Sequence, residues 1–225
     1  MQFSGIQRTS LIDFPNRIST VLFTPNCNLR CPFCHNWRIV LDPKPPFFTD
    51  EMVIPILEKR RKYVDALVVT GGEPTMHSEL PIFLKEIKKR GFSIKLDTNG
   101  FFSKIFEECL PYVDYVALDV KTSMEKYRLL GAEDTTELLR TIKTLKTGAV
   151  EYECRATVVP GFVDLNDVLK MGEIAAGCKR FVFQQFIPGD TLDQRFNEVR
   201  PYSLEVIESY IKVMKQYVTE VFFRY

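Results

Sequence analysis

The 225-residue sequence has no apolar run near the ~18–20 residues that a membrane-spanning helix requires. Its first residues, Met1-Gln2-Phe3-Ser4-Gly5, lack a basic stretch leading into an apolar one, so no secretory signal is expected and the chain reads as cytoplasmic. Charge of either sign is not in excess. Thirty basic and 29 acidic side chains leave a formal net charge of +1, which argues against a polybasic nucleic-acid face or an acidic tail. No low-complexity tract or linker divides the chain, and Asp42-Pro43-Lys44-Pro45-Pro46 is a stiff loop too short to join domains. The 45% apolar and 26% charged residues that remain suit one globular domain with a proper core.

The six cysteines are not spread as a disulfide framework would be. Three fall within eight residues at Cys27, Cys31 and Cys34, while Cys109, Cys154 and Cys178 are single and read as buried core residues. Clustering in a long chain rich in regular elements points to a metal or cluster site.

From residue 18 onward, short β-branched and aromatic runs alternate with amphipathic helical stretches. Strands are expected over Ile18–Thr24, Ala66–Thr70, Ser93–Asp97, Tyr115–Val120, Glu151–Val159 and Arg180–Phe186. Helices are expected around Thr49–Lys62, Ser78–Arg90, Ser103–Cys109, Thr135–Thr147, Leu165–Ala176 and Ser203–Tyr217, with a helical turn near Ser123–Leu130. Thr49 before Asp50 and Glu51, and Ser203 before Glu205, supply capping hydroxyls and acidic groups at helix starts. Gly91 and Gly148 stand where helices should stop. Six strand–helix units in series imply a parallel sheet, since each right-handed crossover returns the chain beside the previous strand. An eight-unit barrel takes ~250 residues, so the expectation is an α/β fold with an incomplete (β/α)6 TIM-like barrel; a flat doubly wound sheet is the alternative. Residues 1–17 then form an N-terminal extension, 18–217 the six units and 218–225 a last strand, all in a single domain.

Cys27-Asn28-Leu29-Arg30-Cys31-Pro32-Phe33-Cys34-His35-Asn36 directly follows the first of these strands. In parallel α/β folds, ligands sit in the loops after strand C-termini. Three thiolates on one loop can hold three corners of an iron–sulfur cube and leave one iron open, where the usual count is four cysteines. Zinc is the alternative, with His35 or His77 as a fourth ligand, and unrelated core cysteines are a further one. Gly71-Gly72-Glu73-Pro74 after the second strand permits close backbone approach, although most Gly-Gly pairs are simple turns. Asp97-Thr98-Asn99-Gly100 and Asp119-Val120-Lys121 end the third and fourth strands, where a polar turn or a surface ion pair is the plain structural account. Arg155-x-Thr157 lies on the fifth strand, and a buried Arg155 needs a partner in any case.

The Cys27-x3-Cys31-x2-Cys34 spacing resembles the defining motif of the radical S-adenosylmethionine (SAM) superfamily. The resemblance spans essentially the whole chain. It implies a [4Fe–4S] cluster on Cys27, Cys31 and Cys34, with SAM on the open iron. SAM is then reductively cleaved to a 5′-deoxyadenosyl radical that abstracts a substrate hydrogen. By the same resemblance Gly71, Gly72 and Glu73 engage the methionine amino group, and Lys121 meets its carboxylate. Asp97 and Asp119 lie near that carboxylate, sometimes with a monovalent cation. Arg155 and Thr157 line the ribose and adenine, and Phe33, His35 and Asn36 complete the cofactor site. Either Gln184 or Gln185 could reach the ligand, but strand alternation lets only one point inward.

Gln7–Pro15, Phe23-Thr24 and the Cys-His-Asn ending resemble the activating proteins of glycyl-radical enzymes, above all of anaerobic (class III) ribonucleoside-triphosphate reductase. Pyruvate formate-lyase activase is a close relation. This implies an oxidoreductase that takes one Cα hydrogen from a glycine of a partner enzyme, with a flavodoxin or ferredoxin-type electron donor and no nucleic acid. Trp37 to Phe48 holds no cysteine and is too short for a ferredoxin-like insert, so one cluster is expected. A small-molecule radical SAM enzyme of similar size, such as the queuosine-pathway 7-carboxy-7-deazaguanine synthase, is the rival from another class. A non-enzymatic cluster- or zinc-binding module is another.

Overall fold

The computed structural model describes all 225 residues, which form two compact units. The first comprises Met1–Cys27, Asn36–Thr98 and Phe102–Val116; the second comprises Asn28–His35, Asn99–Phe101 and Ala117–Tyr225.

The first unit contains β1 (Gln2–Phe3), β2 (Gly5–Ser10), β3 (Ser19–Thr24), α1 (Trp37–Leu41), β4 (Phe48–Thr49), α2 (Asp50–Arg60), β5 (Ala66–Gly71), α3 (Leu80–Lys89), β6 (Ser93–Thr98) and α4 (Ser103–Cys109). β5 runs parallel to both β3 and β6, pairing Ser19 with Ala66 on one side and Ala66 with Ser93 on the other. Ala66, Leu67, Val68 and Val69 are all fully buried. Such a continuous apolar run is what a parallel strand covered on both faces needs. α3 buries Leu80, Phe83, Leu84 and Ile87, the i, i+3, i+4, i+7 stripe of a core-facing helix. Its end lies where the sequence places it, for Gly91 adopts φ +83° and donates to the Lys88 carbonyl.

Two expectations need correction here. The N-terminal extension over residues 1–17 contains a strand that the sequence pattern does not predict, for β2 joins the sheet antiparallel to β3, with Gly5 opposite Phe23 and Ile6 opposite Leu22. The sheet is therefore mostly rather than wholly parallel. Gln7, Arg8 and Thr9 are exposed, so β2 carries no apolar alternation; the unpaired backbone edge of β3 determines its conformation. Thr49 does precede α2, but its hydroxyl donates to the Glu51 carboxylate at 2.7 Å and caps no backbone N–H.

β7 (Tyr115–Asp119) begins in the first unit and ends in the second, which continues with α5 (Thr136–Leu145), β8 (Glu151–Val158), α6 (Leu165–Ala175), β9 (Arg180–Gln185), α7 (Leu204–Met214) and β10 (Glu220–Arg224). β9 runs parallel to β8 and to β10, so the expected last strand is present. The Ser123–Leu130 turn is a 3-10 helix over Met124–Leu130. Gly148 ends α5 with φ +77°. Ser203 precedes α7 without capping a backbone N–H.

Candidate functional site

In the first unit, the loop after β3 and the loop after β5 are stitched together through their backbones. Thr24 O accepts from Gly72 N–H at 2.9 Å, and Asn26 O accepts from Glu73 N–H at 2.8 Å. Asn26 holds φ +61°, a left-handed conformation that asparagine tolerates. Neither glycine could carry a side chain. A β-carbon on Gly71, at φ +115°, would stand 2.4 Å from Thr24 N, and one on Gly72 would stand 1.7 Å from Asn26 O. Asn36 donates through Nδ2 to Gly71 O at 3.0 Å, and His77 donates through Nε2 to Pro25 O at 2.9 Å. Half-buried Cys27 follows this braced segment directly.

Glu73 is buried, and its Oε1 accepts from Thr75 N–H at 3.0 Å, Thr75 Oγ1 at 2.5 Å and Thr98 Oγ1 at 2.7 Å. This oxygen thus ties its own loop to the end of β6. Asp97, also buried, pairs with the buried Lys95, Nζ to Oδ1 2.5 Å. The sequence reasoning missed Lys95, although its position two residues before Asp97 on a strand puts both side chains on one face.

The second unit carries the rest of the cysteine segment. Residues 28–35 belong to no helix or strand, so their backbone groups need outside partners. Arg30 N–H donates to Leu130 O at 2.7 Å, Leu192 N–H to Cys34 O at 3.1 Å and Asp193 N–H to Pro32 O at 2.8 Å. Asn99 Nδ2 donates to Asn28 Oδ1 at 2.8 Å, and His35 Nε2 to Ile187 O at 3.0 Å. Cys34 N–H turns back to Cys31 O at 3.0 Å. Cys31 is buried and Cys34 half-buried. With Nε2 of both His35 and His77 donating to main-chain carbonyls, neither offers that nitrogen as the fourth zinc ligand.

Phe33, Asp119, Lys121, Arg155, Ala156 and Thr157 line one small cleft. Phe33 packs edge-on against Phe162 at 5.2 Å and lies 6.2 Å from Phe196. Arg155 Nε donates to Asp119 Oδ1 at 2.5 Å, and Lys121 Nζ to Asp119 Oδ2 at 3.1 Å. Burial by itself would raise the Asp119 pKa, but Arg155 and then Lys121 outweigh it and hold the carboxyl well below its usual range. Burial would likewise lower Lys121; Asp119, and after it Cys31, raise it instead. Two cations against one anion leave the cleft one positive charge in excess, close enough to Cys31 to respond to it.

β9 settles which glutamine shares that face. Phe183 packs on Tyr210 of α7 at 6.3 Å, so by alternation Gln185 belongs to the helix-covered side. Gln184 pairs in register with Thr157 and Val182 with Arg155, which puts Gln184 on the face of the cleft residues.

A family model described as the Radical SAM superfamily matches residues 21–171. The chain is 33% identical, over 98% of its length and 95% of the relative's, to a protein of Methanocaldococcus jannaschii named "Putative glycyl-radical enzyme activating enzyme". It is 32% identical, over 75% of its length and 73% of the relative's, to the pyruvate formate-lyase-activating enzyme of Staphylococcus aureus. Among solved structures it matches Streptococcus suis SuiB with a TM-score of 0.69 at 14% identity, covering 91% of this chain. The chain spans about half, 48%, of that longer protein, and the likeness shows a common fold.

Proposed function

The chain belongs to the radical SAM superfamily and has its α/β fold, an incomplete barrel with a mostly parallel sheet, and from that premise we propose that it activates a glycyl-radical enzyme. The family works with SAM and an iron–sulfur cluster. In our reading the cluster is [4Fe–4S] and is held by Cys27, Cys31 and Cys34, whose soft thiolates suit iron–sulfur ligation. When bound, it supplies the electron that cleaves SAM to methionine and the 5′-deoxyadenosyl radical that takes a hydrogen atom from the partner's glycine.

The chain's own residues bind and aim. Lys121 meets the SAM carboxylate, held in place by Asp119 and assisted by the net positive charge of the cleft. Phe33 forms an apolar wall, while Arg155 and Thr157 line the nucleoside, with Gln184 on the same face. Gly71 and Gly72 present backbone to the amino group. Glu73 serves through the shape of its loop, since Oε1 is committed to Thr75 and Thr98. Asn36 braces that loop at Gly71 O. His35 closes the motif at Ile187 O, and Asp97 keeps its reading as a residue for the SAM carboxylate by family resemblance alone. No side chain is asked to act as a general base.

The observation that carries the SAM reading is the small cleft in which Phe33 of the cysteine motif meets the net-positive Asp119–Lys121–Arg155 cluster. Similarity along nearly the whole chain to a protein named as an activating enzyme supports the glycyl-radical assignment. The partner we infer is anaerobic ribonucleoside-triphosphate reductase, on the Gln7–Pro15 segment and the Cys-His-Asn ending. The Staphylococcus aureus similarity favours a pyruvate formate-lyase-type partner as the second reading. The same proposal includes a single domain over 1–225, a flavodoxin or ferredoxin-type donor and a cytoplasmic setting.

The test is anaerobic: cluster-reconstituted protein, SAM and a strong reductant are mixed with each candidate glycyl-radical enzyme. A doublet radical signal in the reductase mixture is the expected result. A doublet only with a pyruvate formate-lyase-type partner would move the assignment to the second reading. Absence of deoxyadenosine in every mixture would overturn it altogether.

A further inference from the structure

The family resemblance allows a monovalent cation beside Asp97 and Asp119, and the residues present do not fit one. Asp119 has Oδ1 on the Arg155 guanidinium and Oδ2 on the Lys121 ammonium. Asp97 has Oδ1 2.5 Å from Lys95 Nζ, and their side chains are only 9% and 3% exposed. An alkali ion brought to that oxygen would stand against a like charge in a site from which water is largely excluded, where repulsion is strong. Each carboxylate already has its counter-charge from the chain itself.

We propose that Lys95 is a built-in counter-ion for Asp97, which makes the site independent of sodium and potassium. The strand supplies the geometry: residues 95 and 97 of β6 point to one face, so the ammonium is delivered by covalent connection whatever the salt outside. Both side chains are buried, and a charge taken out of water needs an opposite charge beside it, which each finds in the other. The functional consequence rests on the reading of Asp97 as part of the SAM site; the pairing does not.

Removing the ammonium should therefore create the cation requirement that the native chain lacks. Full-length, cluster-reconstituted wild type, Lys95→Met and Lys95→Met/Asp97→Asn are melted without SAM in sodium, potassium or tetramethylammonium chloride at equal ionic strength. Wild type is expected to melt within about 1 °C in all three. Lys95→Met should melt lower and recover by about 2–4 °C in sodium or potassium relative to tetramethylammonium, a shift equivalent to roughly tenfold or less in the folding constant. The double variant should be indifferent to the salt. A wild type that itself melts higher in sodium or potassium, or a folded Lys95→Met that ignores them, overturns the proposal. If Lys95→Met does not fold in any salt, the affinity of wild type for SAM in the three salts decides: agreement within about twofold supports the proposal and dependence on an alkali ion refutes it. Failure of the SAM reading would show separately, as no SAM binding in any salt.

Discussion

The carbonyl oxygen of Asn26 stands 1.7 Å from the point a β-carbon on Gly72 would occupy. The obstacle is main chain, and it lies next to the first motif cysteine, so it cannot swing aside as a side chain would. Gly72→Ala should cost about 1–3 kcal/mol in stability, the range for forcing atoms into a packed site. It should also lower the iron retained on reconstitution. Chemical denaturation and iron analysis of the same preparation check both.

Glu73 Oε1 accepts three hydrogen bonds in a buried setting. Glu73→Ala leaves the Thr75 N–H and the two threonine hydroxyls without this acceptor, at a cost of about 1–3 kcal/mol. Glu73→Gln keeps an oxygen there and should cost less. Urea titrations of the two variants distinguish a clamp from a ligand contact: a ligand contact would leave the stability of the free protein unchanged.

Lys121→Met should weaken SAM binding by about tenfold or more, as expected for losing a charged partner worth roughly 1.5–3 kcal/mol, while iron content stays at the wild-type level. Equilibrium binding to the reconstituted protein measures it. Unchanged affinity would withdraw Lys121 from the carboxylate.

The Asp119 carboxyl has its pKa depressed in the folded state: burial would raise it, but Arg155 and then Lys121 together outweigh that effect. A depressed group adds stability that is present above its unfolded value, about 3.9, and is lost as pH falls through the lower folded value. Arg155→Met removes the more effective of the two charges that lower this pKa. The stability gap between wild type and this variant should therefore be full near neutral pH and narrow only below about pH 4. A gap that stays constant from neutrality into that acid range would show that Arg155 acts through packing alone.

Cys31→Ala should abolish both the brown colour and deoxyadenosine formation. Cys109→Ala should keep both, because burial pushes that thiol up to about 12 and leaves it inert at neutral pH. Absorbance and product analysis of the two variants form the comparison.

The alternation of apolar strands and amphipathic helices is a local property, and it is enough to place the six strand–helix units and β10 within a few residues, though not the two-residue β1 and β4 or the five-residue α1. β2 escaped because it has no such signal: Gln7, Arg8 and Thr9 face solvent, and only the backbone edge of β3 makes them a strand. The cysteine spacing and the polar strand ends were legible for a similar reason, since each is a short contiguous pattern. What those polar groups touch is a different matter. That Glu73 turns inward to two threonines, that Lys95 neutralises Asp97, and that Gln184 rather than Gln185 shares the Arg155 face all depend on segments distant in sequence or on which strand face is covered. The sequence by itself determined the elements and the chemical inventory of the site, because both are set by side-chain periodicity and motif spacing. Only the tertiary structure decided which charges are balanced within the chain, because burial makes each buried charge require a partner and only the packing chooses it.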